Sequence, residues 1–96
     1  MERVQDAELL DETAFSLQDA ARACGMEVHW IEERVQAGVL HVHLASGEWR
    51  FDSATVVRAR RVAQLEQRFD ADPQLAALTA DLIEEVARLR RLLGVR

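Results

Sequence analysis

The chain holds 96 residues, with seventeen acidic side chains against twelve basic ones and a formal net charge of −5. That length is read as one small domain, and it excludes a Rossmann domain, a TIM barrel or any two-domain enzyme. Every basic residue is Arg, and so acidic a chain is a poor general ligand for nucleic acid, because phosphate affinity comes from basic side chains. A composition of 49% apolar and 30% charged residues points to a globular chain, not a disordered one. The single cysteine, Cys24, leaves no internal disulfide and no cysteine-rich zinc site. No apolar run approaches the length of a membrane span. The acidic start, Met1-Glu2-Arg3-Val4-Gln5-Asp6, has no apolar segment of the kind a secretory signal needs. The expected compartment is therefore the cytoplasm. The charge is uneven: residues 1–36 carry −6, residues 37–69 carry +2 and residues 70–96 carry −1.

Residues 1–14 show no clean period, and Leu9-Leu10 either pack back on the body or belong to a frayed arm. Ser16 is a good helix N-cap with Asp19 three residues on. Leu17, Ala20, Ala21 and Cys24 then fall on one stripe, and Gly25 supplies the stop. A second helix follows Met26-Glu27, with Val28, Ile31 and Val35 as its core stripe, and ends at Gly38. Its opposite face carries His29, Glu32, Glu33 and Gln36, with Trp30 at the margin. Two short helices joined by a tight glycine-containing turn read as a helix-turn-helix.

From Val39 to Leu44 the apolar residues Leu40, Val42 and Leu44 alternate with polar ones, which predicts a half-buried strand. Ala45-Ser46-Gly47-Glu48 is a turn and Trp49-Arg50-Phe51 a return strand, together a hairpin placed where a wing would be. Asp52-Ser53 cap a third helix over roughly Ala54 to Phe69, with Val56, Ala59, Val62, Ala63 and Leu65. Asp72-Pro73 start a last helix that runs to about Leu93. On it Leu75, Leu82, Val86, Leu89 and Leu93 follow helical spacing, with Thr79 at the remaining position and Leu78, Ile83 and Leu92 widening the stripe. That apolar surface exceeds what a small winged domain covers. It either folds back on the third helix as an antiparallel hairpin or pairs with a second copy as a coiled coil. The expected fold is mainly α: a winged helix-turn-helix of two short helices and a β-hairpin, followed by two longer helices. The expected division is an N-terminal arm at 1–14, the winged unit at 15–69 and the C-terminal helix at 70–96.

The stretch Phe15-Ser16-Leu17-Gln18-Asp19-Ala20-Ala21, then Cys24-Gly25-Met26, then Ala37-Gly38-Val39-Leu40, then Gly47-Glu48-Trp49-Arg50-Phe51-Asp52 resembles the MerR-type winged helix-turn-helix. Within that group the chain most resembles the chaperone-modulator (CbpM) family, over residues 14–93. The resemblance implies a protein that binds the J-domain of a DnaJ/CbpA-type co-chaperone. Binding blocks that J-domain from stimulating Hsp70 and curbs the co-chaperone's own DNA binding. It also implies no enzymatic activity and no cofactor.

Where MerR-type factors place Arg, Thr, Arg, Tyr and Tyr on the base-reading helix, this chain has His29, Trp30, Glu32, Glu33 and Arg34. Carboxylates repel phosphate, so Glu27, Glu32 and Glu33 argue against a DNA contact, even with Arg50, Arg58 and Arg61 at hand beside His29. An acidic helical face instead suits a basic protein surface, to which it steers its partner. The expected J-domain contact is Asp19, Glu27, Glu32 and Glu33, with Trp30 as the desolvated anchor. A MerR-like regulator, with His29, Arg50, Arg58 and Arg61 on the DNA, is the alternative. Leu75, Leu82, Val86, Leu89 and Leu93 are the expected dimer contact, making the partners a J-domain co-chaperone and a second copy of the chain.

Catalytic and metal readings find little support. His41-x-His43 is half a zinc site, and Cys24 lies on the buried stripe instead of beside it. Ser16 and Ser53 are used as helix caps and Ser46 lies in a turn, which leaves no nucleophile with a paired base. The adjacent acids Glu32-Glu33 and Glu84-Glu85 splay over neighbouring helix faces.

Overall fold

The computed structural model describes residues 15–94. Four helices and one hairpin follow in order: α1 (Leu17–Cys24), α2 (Val28–Gln36), β1 (His43–Ala45), β2 (Glu48–Arg50), α3 (Ser53–Arg68) and α4 (Pro73–Leu92). The described chain is thus mainly helical, with one small two-stranded antiparallel sheet. The expected N-terminal arm at 1–14 lies outside the described residues.

The helix ends are set locally. Ser16 caps α1: its hydroxyl accepts from the Asp19 N–H at 3.0 Å, and the Asp19 carboxylate accepts from the Ser16 N–H at 3.3 Å. This reciprocal pair satisfies two N–H groups that a helix start otherwise leaves without partners. At the other end Gly25 takes a left-handed φ of 68°, and the Met26 N–H reaches back to the Ala21 carbonyl at 3.0 Å. Only glycine adopts that backbone without strain, so the tight α1–α2 turn depends on it.

Arg34 organises the end of α2. Its carbonyl accepts from both the Val39 and Leu40 N–H groups, at 2.9 and 3.3 Å. Those two amides are therefore turned to the helix, and the predicted strand over 39–44 is shortened to His43–Ala45. Leu40 is buried at 2% exposure, whereas Leu44 stands 72% exposed, against the expected alternation. Leu44 pairs with Trp49 in the hairpin register, so the two share a face. A two-stranded hairpin has no third strand or facing sheet to cover its tip. The Trp49 and Phe51 rings meet edge to face at a centroid distance of 6.4 Å. Phe51 is itself buried and exchanges two backbone hydrogen bonds with Phe15, at 3.2 and 2.8 Å.

Asp52 starts α3 by accepting from the Thr55 N–H at 2.7 Å, and Asp72 starts α4 by accepting from the Leu75 N–H at 3.0 Å, with Pro73 in the first turn. The chain forms two compact units, one up to Arg60 and one from Arg61. In the first, Ala20, Ala21, Trp30, Ile31, Leu40, Phe51, Val56 and Ala59 are buried. In the second the buried residues are small: Val62, Ala63, Ala76 and Ala80. Leu75, Leu78, Leu82, Val86, Leu89 and Leu93 all stay exposed.

Candidate functional site: the acidic helix and the hairpin groove

Two features of the first unit are candidates for recognition: the outward face of α2 and a groove beside the hairpin. On α2, Glu27 occupies the N-cap position but makes no side-chain capping bond, and it is exposed. Further along the helix, Glu33 accepts from two sides. Its carboxylate lies 3.1 Å from His29 Nε2, the i,i+4 pair along the helix, and 3.3 Å from Arg34 Nη1. Glu32 is half-buried on the neighbouring face.

Trp30 is not at the surface. It is buried at 8% exposure, and the Arg34 guanidinium lies over its ring, 4.7 Å from the centroid. Arg34 is equally buried at 8%. The expected position of Trp30 at the margin of α2 is corrected on this point, since its ring is already desolvated by its own chain. The reason is the i,i+4 spacing. It sets Arg34 one turn from Trp30, where the planar cation lies over one face of the indole.

Asp19 lies on α1. Beyond its capping bonds it takes the Arg22 guanidinium at 2.6 Å. The Ser16 N–H, then the Ser16 hydroxyl and Arg22, hold its carboxyl below the usual carboxylate range against the opposing effect of burial. Its charge is therefore engaged within α1, in contrast to that of Glu27.

The groove beside the hairpin encloses about 260 Å³ and is lined by Ser16, Leu17, Gln18, Glu48, Trp49 and Arg50. Sequence reasoning did not find it. It forms because the Phe15–Phe51 pairing lays the start of α1 against β2, a contact between residues far apart in the chain.

The basic residues considered for DNA are held as follows. Arg50 is half-buried and reaches the Glu48 carboxylate at 3.2 Å. Arg58 is half-buried and donates through Nε to the Val39 carbonyl at 2.8 Å. Arg61 is half-buried on α3, and His29 is exposed beside Glu33.

His41 is exposed, and His43 faces Asp52 at 3.6 Å. Burial pushes the Asp52 carboxyl up. The Thr55 N–H and hydroxyl, together with His43, outweigh that and hold it below the usual value. Burial raises the Cys24 thiol above its ordinary value, only partly offset by Arg60, so the sulfur is kept protonated. Among the described residues there is no cluster of three His, Cys, Asp or Glu side chains able to hold a metal ion. Nor, among them, is any helix long and apolar enough to cross a membrane. Comparison with protein-family models, with curated proteins and with solved structures returns no match to this chain.

Proposed function

We propose that the protein is a chaperone modulator: a MerR-like winged helix-turn-helix, with α1 and α2 as the helix pair and the hairpin as the wing. It binds the J-domain of a DnaJ/CbpA-type co-chaperone in the cytoplasm and keeps that domain from stimulating Hsp70. In this reading it acts by occupancy and not by catalysis.

The observation that carries the reading is the sign of the exposed charge on α2. Glu27 and Glu33 stand outward with Glu32 beside them, while Arg34 is stacked on Trp30 and Arg58 is bonded to the Val39 carbonyl. A helix of this charge attracts a basic helical surface and repels a phosphate backbone. With Trp30 buried, the recognition rests on Glu27, Glu32 and Glu33.

The test is a calorimetric titration with the isolated J-domain of a CbpA-type co-chaperone from the same genome, at two salt concentrations. The expected outcome is a dissociation constant of about 1 μM or below that rises with salt. The double variant E32K/E33K is expected to bind about tenfold more weakly. Unchanged affinity in that variant would remove α2 from the interface. No binding by the natural chain, with binding to promoter DNA at low salt, would replace the reading by a DNA-binding regulator using His29, Arg50, Arg58 and Arg61.

A further inference from the structure

The groove beside the hairpin lies along the outer edge of β2, where the chain turns away into α1. On that edge Phe51 and Phe15 exchange both of their backbone hydrogen bonds. Arg50 and Glu48 pair the other way, with His43 and Ala45 of β1. Successive strand residues aim their N–H and C=O groups to opposite sides, so Trp49 presents its pair on the Phe15 side, into the groove. Ser16 is the last extended residue facing this edge, at φ −77° and ψ 173°. Its N–H goes to Asp19 and its carbonyl accepts from the Ala20 N–H as α1 begins. Among the described residues no strand continues opposite Trp49. The space left there is about 260 Å³. That is below the roughly 300–1,000 Å³ of pockets that enclose a drug-sized ligand, and it suits a short piece of extended chain.

We propose that this groove takes the C-terminal end of a partner peptide, running parallel to β2, with an apolar last residue and a basic residue before it. The inference stands independently of the J-domain reading, since no α2 residue lines the groove. Three observations select the occupant and its direction. First, the backbone pair that Trp49 presents calls for extended main chain, and a peptide carbonyl accepts the Trp49 N–H by strand addition. Second, the groove is closed at one end and open at the other. The next position along the edge is the Phe51–Phe15 pair, whereas past Glu48 lies the exposed turn Ser46-Gly47. A groove shut at one end receives a chain terminus, not a segment passing through. Third, charge is ordered along it. Arg50 stands toward the closed end and Glu48 toward the open one, their side chains 3.2 Å apart. The guanidinium keeps further N–H donors beyond the one given to Glu48, so a terminal carboxylate is held there and a terminal ammonium is repelled. Seated this way, the last side chain is level with Trp49, on the face where the Trp49 and Phe51 rings meet. Half-buried Leu17 lines the same groove, and Leu44, 72% exposed across from Trp49, extends that apolar face. The preceding side chain falls on the opposite face beside Glu48, which selects Lys or Arg.

The experiment is a titration of the isotope-labelled full chain with acetyl-Gly-Gly-Arg-Leu bearing a free C-terminal carboxylate, followed through the backbone amide signals by NMR. The Trp49 and Gln18 amides are expected to shift, with a dissociation constant of about 1 mM or below, while those of Glu32 and Glu33 stay in place. The same peptide with a C-terminal amide is expected to bind about tenfold more weakly, a comparison that needs no variant. R50Q is expected to weaken binding of the free acid about tenfold and to leave the affinity for the amide unchanged. E48K is expected to reverse the preference at the penultimate position from Arg to Glu. Unchanged signals from the buried Ile31 and Val56 verify that both variants keep the fold. Acetate at the same concentration is expected to leave the Trp49 amide unmoved. A natural chain whose Trp49 amide does not respond to the peptide overturns the proposal. So do equal affinities for acid and amide, a folded R50Q that binds the acid undiminished, a folded E48K that still prefers Arg, or a response to acetate alone.

Discussion

The guanidinium of Arg34 lies 4.7 Å from the centre of the Trp30 ring, and both side chains are only 8% exposed. The pair ties the acidic helix to the core from within: the cation stacks on the indole, bonds Glu33, and lends its carbonyl to the start of the next segment. Replacing Arg34 by Ala is expected to cost about 1–2 kcal/mol, through the lost stacking and the lost cover of the aliphatic stem. Trp30→Ala is expected to cost about 3–5 kcal/mol. Urea unfolding midpoints of the two variants check both values. A Trp30 variant that kept full stability would contradict its place in the core.

The start of α3 is predicted to be acid-sensitive. Asp52 has a lowered pKa when folded, so its contribution is fully present above the pKa of the unfolded carboxyl. It is lost as pH falls through the folded value. Asp52→Ala is expected to destabilise the chain by about 1 kcal/mol at neutral pH, the usual loss for a helix cap. The gap between variant and natural chain then closes in strong acid, below both values. Melting curves at neutral pH and down to about pH 2 measure it. Asp19, whose pKa is also lowered, follows the same sign.

The hairpin turn has both central residues in the left-handed region, Ser46 at φ 55° and Gly47 at φ 80°. This is the twist that two-residue hairpins favour, and asparagine tolerates the first position better than serine does. Ser46→Asn is expected to raise stability by about 0.5 kcal/mol, and Gly47→Ala to lower it by about 1 kcal/mol. Thermal melts of the two variants should move in opposite directions.

Arg58 is predicted to serve the fold. Its Nε–H satisfies the Val39 carbonyl, so Arg58→Met leaves that acceptor without this donor and is expected to cost about 1–2 kcal/mol. A loss of that size in chemical denaturation is the expected result.

How much of this was legible in the sequence depended on range. Ser16, Gly25, Asp52 and Asp72-Pro73 act on backbone groups within a few residues, and the helices begin and end within a residue or two of where those signals put them. Trp30 was misplaced because a helical wheel sets it beside charged residues and shows neither the core around it nor the Arg34 cation over its ring. Leu44 was misplaced because alternation predicts a covered face only when something covers it. The groove between Leu17 and Trp49 left no local signal, since the Phe15–Phe51 pairing that makes it joins distant residues. The leucine stripe of α4 was plain in the sequence. The two alternatives for it could not be separated there, because that turns on which of its faces, leucine or alanine, the chain buries.

The Phe15–Phe51 pairing also governs how the first unit comes apart. The segment between these residues contains both α1 and α2 and the whole hairpin, and each backbone N–H is bonded to the other residue's carbonyl. The Phe51 amide, in a residue only 1% exposed, is thus shut off from solvent by groups contributed from both extremities of that segment. Its proton is therefore expected to exchange with deuterium only when that pairing opens, and a frayed end of α2 does not release it. That one hydrogen therefore reports on the closure that joins the start of α1 to the end of the hairpin.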